Sequence, residues 1–164
     1  HKLRITYKKE GDGFQCDAIC EIGFTYTFYF RNQPAPKKYL DAGLSPLHSR
    51  VMRLFDSLRS SNHNVWFDNL YISAKFAKAA RGHVWKVNIS GPCRKGGRGL
   101  PECVIQEEVK GKEAIQHQAQ GTVQAAVLLV DADFPDLIVA SYYDSKPVHF
   151  LSTIICQASE YQMD

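Results

Sequence analysis

The sequence has no two cysteines at the two-residue spacing that zinc sites favour, no apolar run long enough to cross a bilayer, no internal repeat and no low-complexity stretch. The first absence argues against a zinc-built fold. Its five cysteines, Cys16, Cys20, Cys93, Cys103 and Cys156, are odd in number and loosely spaced, which suits reduced thiols inside a cell. Cys16 and Cys20 lie four apart in a strand-like stretch, so alternation puts both on one face, where they read as core residues. The second absence excludes a membrane-spanning helix, and no signal peptide is visible. The longest apolar run, "AAVLLV" at 125–130, reads as a buried strand. An excess of one charge is missing too. The net charge of +3 and pI of about 8.6 permit a nucleic-acid partner without demanding one.

What is present is enough for a real core: 164 residues, 45% of them hydrophobic. "HKLRITYKK" at the start already reads as a strand. "QASEYQMD" at the end carries no stop signal. The expectation is therefore a piece of a longer protein, cut at both ends.

Periodicity predicts strands over 3–7, 14–22 and 24–30, with a turn at "KEGDGF" and a hairpin break at Gly23. "NQPAPKK" reads as a loop. A helix should begin after Ser45, which can cap it, with Pro46 in its first turn. Leu47, Val51, Leu54, Phe55 and Leu58 form its apolar stripe, with Arg50, Arg53 and Arg59 on the wet side. A short apolar strand then ends on Asp68. Ser73 should cap a second helix with Phe76, Ala77 and Ala80 inward and Gly82 at its end. The next strand is expected over 84–89. "GPCRKGGRGLP" at 91–101 reads as a basic, glycine-rich loop, and 103–121 is polar and ambiguous. Apolar strands follow over 122–130, 137–142 and 148–155, in the pattern of a meander. The implied division is 1–90, a connector over 91–121, and a β-rich segment over 122–164.

Asp68 raises the functional question. "NVWFDNLYIS" (64–73) drives an apolar strand straight into a carboxylate. Burying that charge without partners costs several kcal/mol. Its cheap position is the carboxyl end of a strand, facing a cleft, where a cation or a helix N-terminus compensates it. A plain cap or loop anchor is the alternative. Arg94, Lys95 and Arg98 sit among glycines whose backbone N–H groups can approach phosphate, so they are candidates for DNA-backbone contact, with a solvated loop as the alternative. Trp66 and Trp85 could stack on bases, but their apolar strands favour core packing. His63 reads as a surface turn residue. Asp131, Asp133 and Asp136 lack the spacing of a calcium loop and read as an acidic turn. Glu107 and Glu108, being adjacent, make no acid/base pair.

Several stretches together carry a family resemblance. "FDNLYIS", "GPCRKGGRGLPECV", "VASYYDSKPVHFLST" and "GDGFQCDAIC" occur in an order that resembles the catalytic core of piggyBac-type transposases, including domesticated transposase-derived proteins. Ile72 stands where threonine is more usual there. Pro92 and Cys93 replace a commoner threonine and valine. The resemblance implies an α+β, ribonuclease H-like mixed sheet with flanking helices, lacking its first strand and carrying a β-rich insertion towards the C-terminus. It implies three aspartates holding two Mg²⁺ ions for phosphodiester cleavage and strand transfer. Asp68 matches the second; the first and third are expected outside the chain. It further implies DNA as partner, no membrane, a possible homodimer of the intact parent, and a nuclear location. One carboxylate cannot organise two such ions, so these residues alone should be inactive. A domesticated or decayed DNA- or protein-binding domain without catalysis is the second possibility, and an unrelated α+β binding domain the third.

Overall fold

The computed structural model describes residues 3–4, 12–94, 120–128, 137–144 and 147–154. These residues fall into two compact units, His1–Ser61 and Asn62–Asp164.

The first unit holds two antiparallel strand pairs and two helices. β1 (Leu3–Arg4) pairs with β2 (Asp12–Gly13), and β3 (Cys16–Glu21) with β4 (Phe24–Phe30). The hairpin expected at Gly23 forms, and Gly23 takes the positive φ of 80° that its turn requires. Its register slips by one residue. Thr27 faces Ile19 but Thr25 faces Cys20, leaving Tyr26 unopposed. The bulge lies on β4, so β3 keeps its alternation and Cys16, Ala18 and Cys20 share one face, but that face is the exposed one. Both thiols are exposed, not core residues.

A five-residue helix, α1 (Lys37–Asp41), occupies part of the segment expected to be loop. Pro34 and Pro36 precede it and do not interrupt it. Then α2 (Pro46–Phe55) starts as expected. Ser45 Oγ accepts a hydrogen bond from the His48 N–H at 3.2 Å, and Pro46 fills the first helical position. Val51, Met52, Leu54 and Phe55 are buried. Arg53 does not lie on a wet face. Its guanidinium carbon sits 3.9 Å from the centre of the Tyr29 ring, a cation–π contact between α2 and β4. Asp17, buried on β3, accepts from Arg31 Nε at 2.9 Å and pairs with its Nη2 at 2.8 Å.

The second unit is built on one mixed sheet of five strands in the order β5-β6-β9-β8-β7. β5 (Asn64–Trp66) runs parallel to β6 (Asn88–Cys93), with α3 (Ala74–Arg81) on the crossover between them. β7 (Val123–Leu128), β8 (Leu137–Tyr143) and β9 (Pro147–Ser152) form an antiparallel meander that joins the sheet through β9 and β6. The three late strands therefore extend the same sheet that carries β5. Ile89, Val139 and Leu151 are fully buried in it, as are Phe76, Ala77 and Ala80 of α3.

β6 begins four residues later than the periodicity predicts. Residues 84–86 belong to a turn in which the Lys86 N–H donates to the His83 carbonyl at 2.7 Å, and Val84 is exposed. The strand then continues through Gly91 and Pro92, residues expected in a loop. Proline is tolerated here because of where its missing donor would point. The Ser90 carbonyl faces β5, where it accepts from Phe67 N–H at 2.8 Å. Pro92, two residues on, turns its nitrogen to that same side. β5 has ended by then, its last paired residue, Trp66, standing opposite Ser90, so no ladder bond is lost.

Candidate functional site

The strand that leads to Asp68 is fixed in register by side chains at its start. Asn64 and Asn88 stand opposite each other. Asn88 Nδ2 donates to Asn64 Oδ1 at 2.9 Å, and Arg81 Nη1, at the end of α3, donates to Asn88 Oδ1 at 2.6 Å. His63, just before the strand, is half-buried and its carbonyl accepts from Asn88 N–H at 2.8 Å. It is thus part of the β5–β6 ladder.

The exit from β5 is fixed as firmly. Phe67 bonds back to Ser90, and its ring meets Phe76 edge-on at 5.5 Å and Tyr71 at 5.9 Å. Asp68 follows and is exposed. Its Oδ1 accepts from the Asn69 N–H at 2.5 Å, and its carbonyl accepts from Tyr71 N–H at 3.0 Å, closing a turn. Ile72 is buried, and Ser73 Oγ then caps α3 by accepting from Phe76 N–H at 3.2 Å. The carboxylate is therefore held out to solvent by an ordered strand–turn–helix connection, at the strand's carboxyl end.

That placement answers the question raised by the sequence: the apolar run ends on a charge because the chain leaves the sheet there. The Asp68 oxygens suit a hard divalent cation. Among the described residues no group of three or more His, Cys, Asp or Glu side chains is placed to hold a metal, so Asp68 fits as one ligand and the described residues do not make a complete cage.

The other candidates divide. Arg94 follows β6 directly and is exposed; Lys95 and Arg98 lie outside the described residues, as do Glu107, Glu108, Asp131, Asp133 and Asp136. Trp85 is half-buried. Trp66 is 73% exposed, contrary to the core packing expected of it. β5 pairs on one side only among the described residues, and its short length leaves the indole uncovered.

Sequence reasoning missed Gly91. A Cβ at that position would lie 2.2 Å from the Phe67 carbonyl oxygen, so it is the residue over which the chain leaves β5. A glycine inside a strand is itself the signal of such a close approach, and it was hidden by assigning Gly91 to a loop. A buried pair also went unread: Ser141 Oγ and His149 Nδ1 lie 2.5 Å apart on β8 and β9. Cys93 stands opposite His149 on β6, its thiol pushed up to about 11 by burial. These groups belong to the sheet's interior.

The architecture is shared with a solved protein. The chain is similar to a piggyBac transposase seen by cryo-electron microscopy in a synaptic complex with hairpin DNA, with a TM-score of 0.70 at 22% identity. The likeness covers 98% of this chain and 31% of that one, so the chain spans about a third of that transposase's length. No match was found among curated proteins. The profile of the transposase IS4 family matches residues 4–163, nearly the whole chain, and the protein therefore belongs to that family.

Proposed function

We propose that this chain forms part of the catalytic core of a piggyBac-type DNA transposase, and that Asp68 is one of its divalent-metal ligands. The observation that carries the reading is the exposed Asp68 carboxylate, held at the carboxyl end of β5 by the Phe67–Ser90 bond and the turn to Tyr71. Family membership and the likeness to a transposase bound to hairpin DNA support it. The parallel β5–β6 pair with α3 on its crossover agrees with a ribonuclease H-like core. The side of β5 away from β6 is where that fold would seat a further carboxylate-bearing strand.

When bound, two Mg²⁺ ions would polarise the attacking and leaving oxygens of a phosphodiester in an in-line displacement. The contribution of this chain is to hold a charged oxygen donor at a fixed point. Asp68 is a metal ligand in this reading and not a proton shuttle. The peptide N–H of Asn69 holds Oδ1 of the carboxylate, whose charge would be available to the ion. Arg94, with Lys95 and Arg98 after it, would contact the DNA backbone as the basic loop leaves β6.

The direct test is Asp68→Asn in the full-length protein. Asparagine keeps an oxygen for the Asn69 N–H and removes the charge. Strand cleavage is expected to fall by about 100-fold or more, with DNA binding and the unfolding midpoint retained. Undiminished cleavage would overturn the assignment and favour a transposase-derived binding domain without catalysis. The basic loop is tested separately by changing Arg94, Lys95 and Arg98 to Ala. The slope of log affinity against log salt should become shallower by roughly one unit for each phosphate that is no longer neutralised; an unchanged slope removes the loop from the DNA interface.

A further inference from the structure

The backbone that presents Asp68 passes over a residue with no side chain. A Cβ on Gly91 would lie 2.2 Å from the Phe67 carbonyl oxygen, 3.1 Å from its carbon and 3.2 Å from Ile72 Cγ1. The last of these could yield, since a side chain can turn. The first could not, because it is main chain. The Phe67 N–H is tied to Ser90 and its ring is wedged against Phe76 and Tyr71. A side chain at Gly91 can therefore be accommodated only by displacing the peptide that joins Phe67 to Asp68. Gly91 itself is buried in a strand flanked by β9 and has little freedom to retreat.

We propose that Gly91 is a positioning residue for Asp68: its bare Cα sets the height at which the chain leaves β5, and so the point at which the carboxylate stands. This rests on the reading of Asp68 as a metal ligand. Its physical content is a link between two strands. Shifts of about 1 Å at a ligand matter because metal and substrate geometry tolerate little error. Mg²⁺ is the more sensitive probe, since it demands near-ideal octahedral coordination.

The test uses the full-length protein and a readout that does not require turnover. Fe²⁺ is supplied in place of Mg²⁺ with ascorbate and peroxide, and the hydroxyl radicals generated at the bound iron cut the nearby backbone. Wild-type protein should be cut around position 68, and Asp68→Asn should lose that cut. Gly91→Ala should need about 10- to 100-fold more metal for the same cut, the range typical when a ligand's support is disturbed. Its DNA strand cleavage should recover more with Mn²⁺ than with Mg²⁺. Gly82→Ala serves as control, because its Cβ would meet nothing closer than 3.4 Å; it should behave as wild type. Wild-type cutting by Gly91→Ala, with the cut lost in Asp68→Asn, would overturn the positioning role alone. Wild-type cutting by Asp68→Asn would overturn the metal reading beneath it. Should Gly91→Ala fail to fold, Phe67→Ala loosens the same carbonyl by removing the ring that clamps it. It should weaken metal-directed cutting in the same range, and an unchanged cut there would also overturn the proposal.

Discussion

The β3–β4 hairpin and the β6–β9–β8 centre of the larger sheet are both rich in apolar strand residues, yet they end in opposite states. On β4, Phe24, Tyr26, Phe28 and Phe30 are all exposed, joined in edge-on pairs by their own rings. In the larger sheet Ile89, Val139 and Leu151 have no accessible surface. Strand propensity is therefore a statement about backbone shape and not about cover. Aromatic alternation makes β4 a strand whether or not anything lies on its face. Flanking strands do not supply that cover: β9 has a strand on each side, yet Val148 and Phe150 are exposed while His149 and Leu151, on its other face, are buried.

That contrast can be broken most forcefully at a single ring in each region. Phe76, fully buried on α3 and packed edge-on against Phe67, should cost about 3–5 kcal/mol when changed to Ala. Phe28→Ser on the open hairpin face should change stability by less than about 1 kcal/mol and raise solubility, because it interrupts an exposed apolar patch. Urea midpoints read the first effect and the saturating concentration reads the second. Equal losses at the two positions would mean that the β4 face is covered in the working protein.

A smaller effect sharpens the same division by pH. In the first unit Tyr39 donates from its hydroxyl to Asp56 Oδ1 at 2.7 Å, and Lys38 Nζ lies 2.9 Å from Asp56 Oδ2. Burial, then the bond to Asp56, raises the Tyr39 phenol to about 12, against about 10 in the unfolded chain. A raised folded value contributes stability below the unfolded pKa and loses it as pH climbs through the folded one. Amide exchange over α1 and the start of α2 should therefore quicken from about pH 10 to pH 12, relative to the intrinsic rate, while β8 and β9 keep their protection. Tyr39→Phe should weaken that pH dependence, the remainder belonging to Lys38, whose ammonium the bond to Asp56 also holds above its ordinary value; an undiminished dependence would assign it to another group.

Legibility in the sequence followed how local the cause was. β4 was readable to the residue, because seven consecutive aromatic and β-branched residues leave little choice of conformation. Ser45 with Pro46, and Ser73 with its stripe of Phe76, Ala77 and Ala80, located two helix starts, since capping is settled within four residues. The meander was legible from its apolar runs. What failed depended on neighbours. Residues 84–86 open a run rich in strand-forming residues, but Lys86 has a positive φ of 47° and the turn from α3 claims them. Gly91 and Pro92 look like breakers until the end of β5 is known. At the site, Asp68 was legible because a charge at the end of an apolar run demands an explanation. The residues that fix the strand leading to it were not, because their partners are distant in sequence: Arg81 bonds to Asn88, Asn88 to Asn64, and Gly91 lies under the Phe67 carbonyl.

The bond from Arg81 to Asn88, and from there to Asn64, has a mechanical consequence. It spans the last turn of α3, the first residue of β6 and the first residue of β5, so helix and strands are braced like struts in a frame. A push on the end of α3 is therefore passed through two side-chain amides to the start of the strand that leads to Asp68.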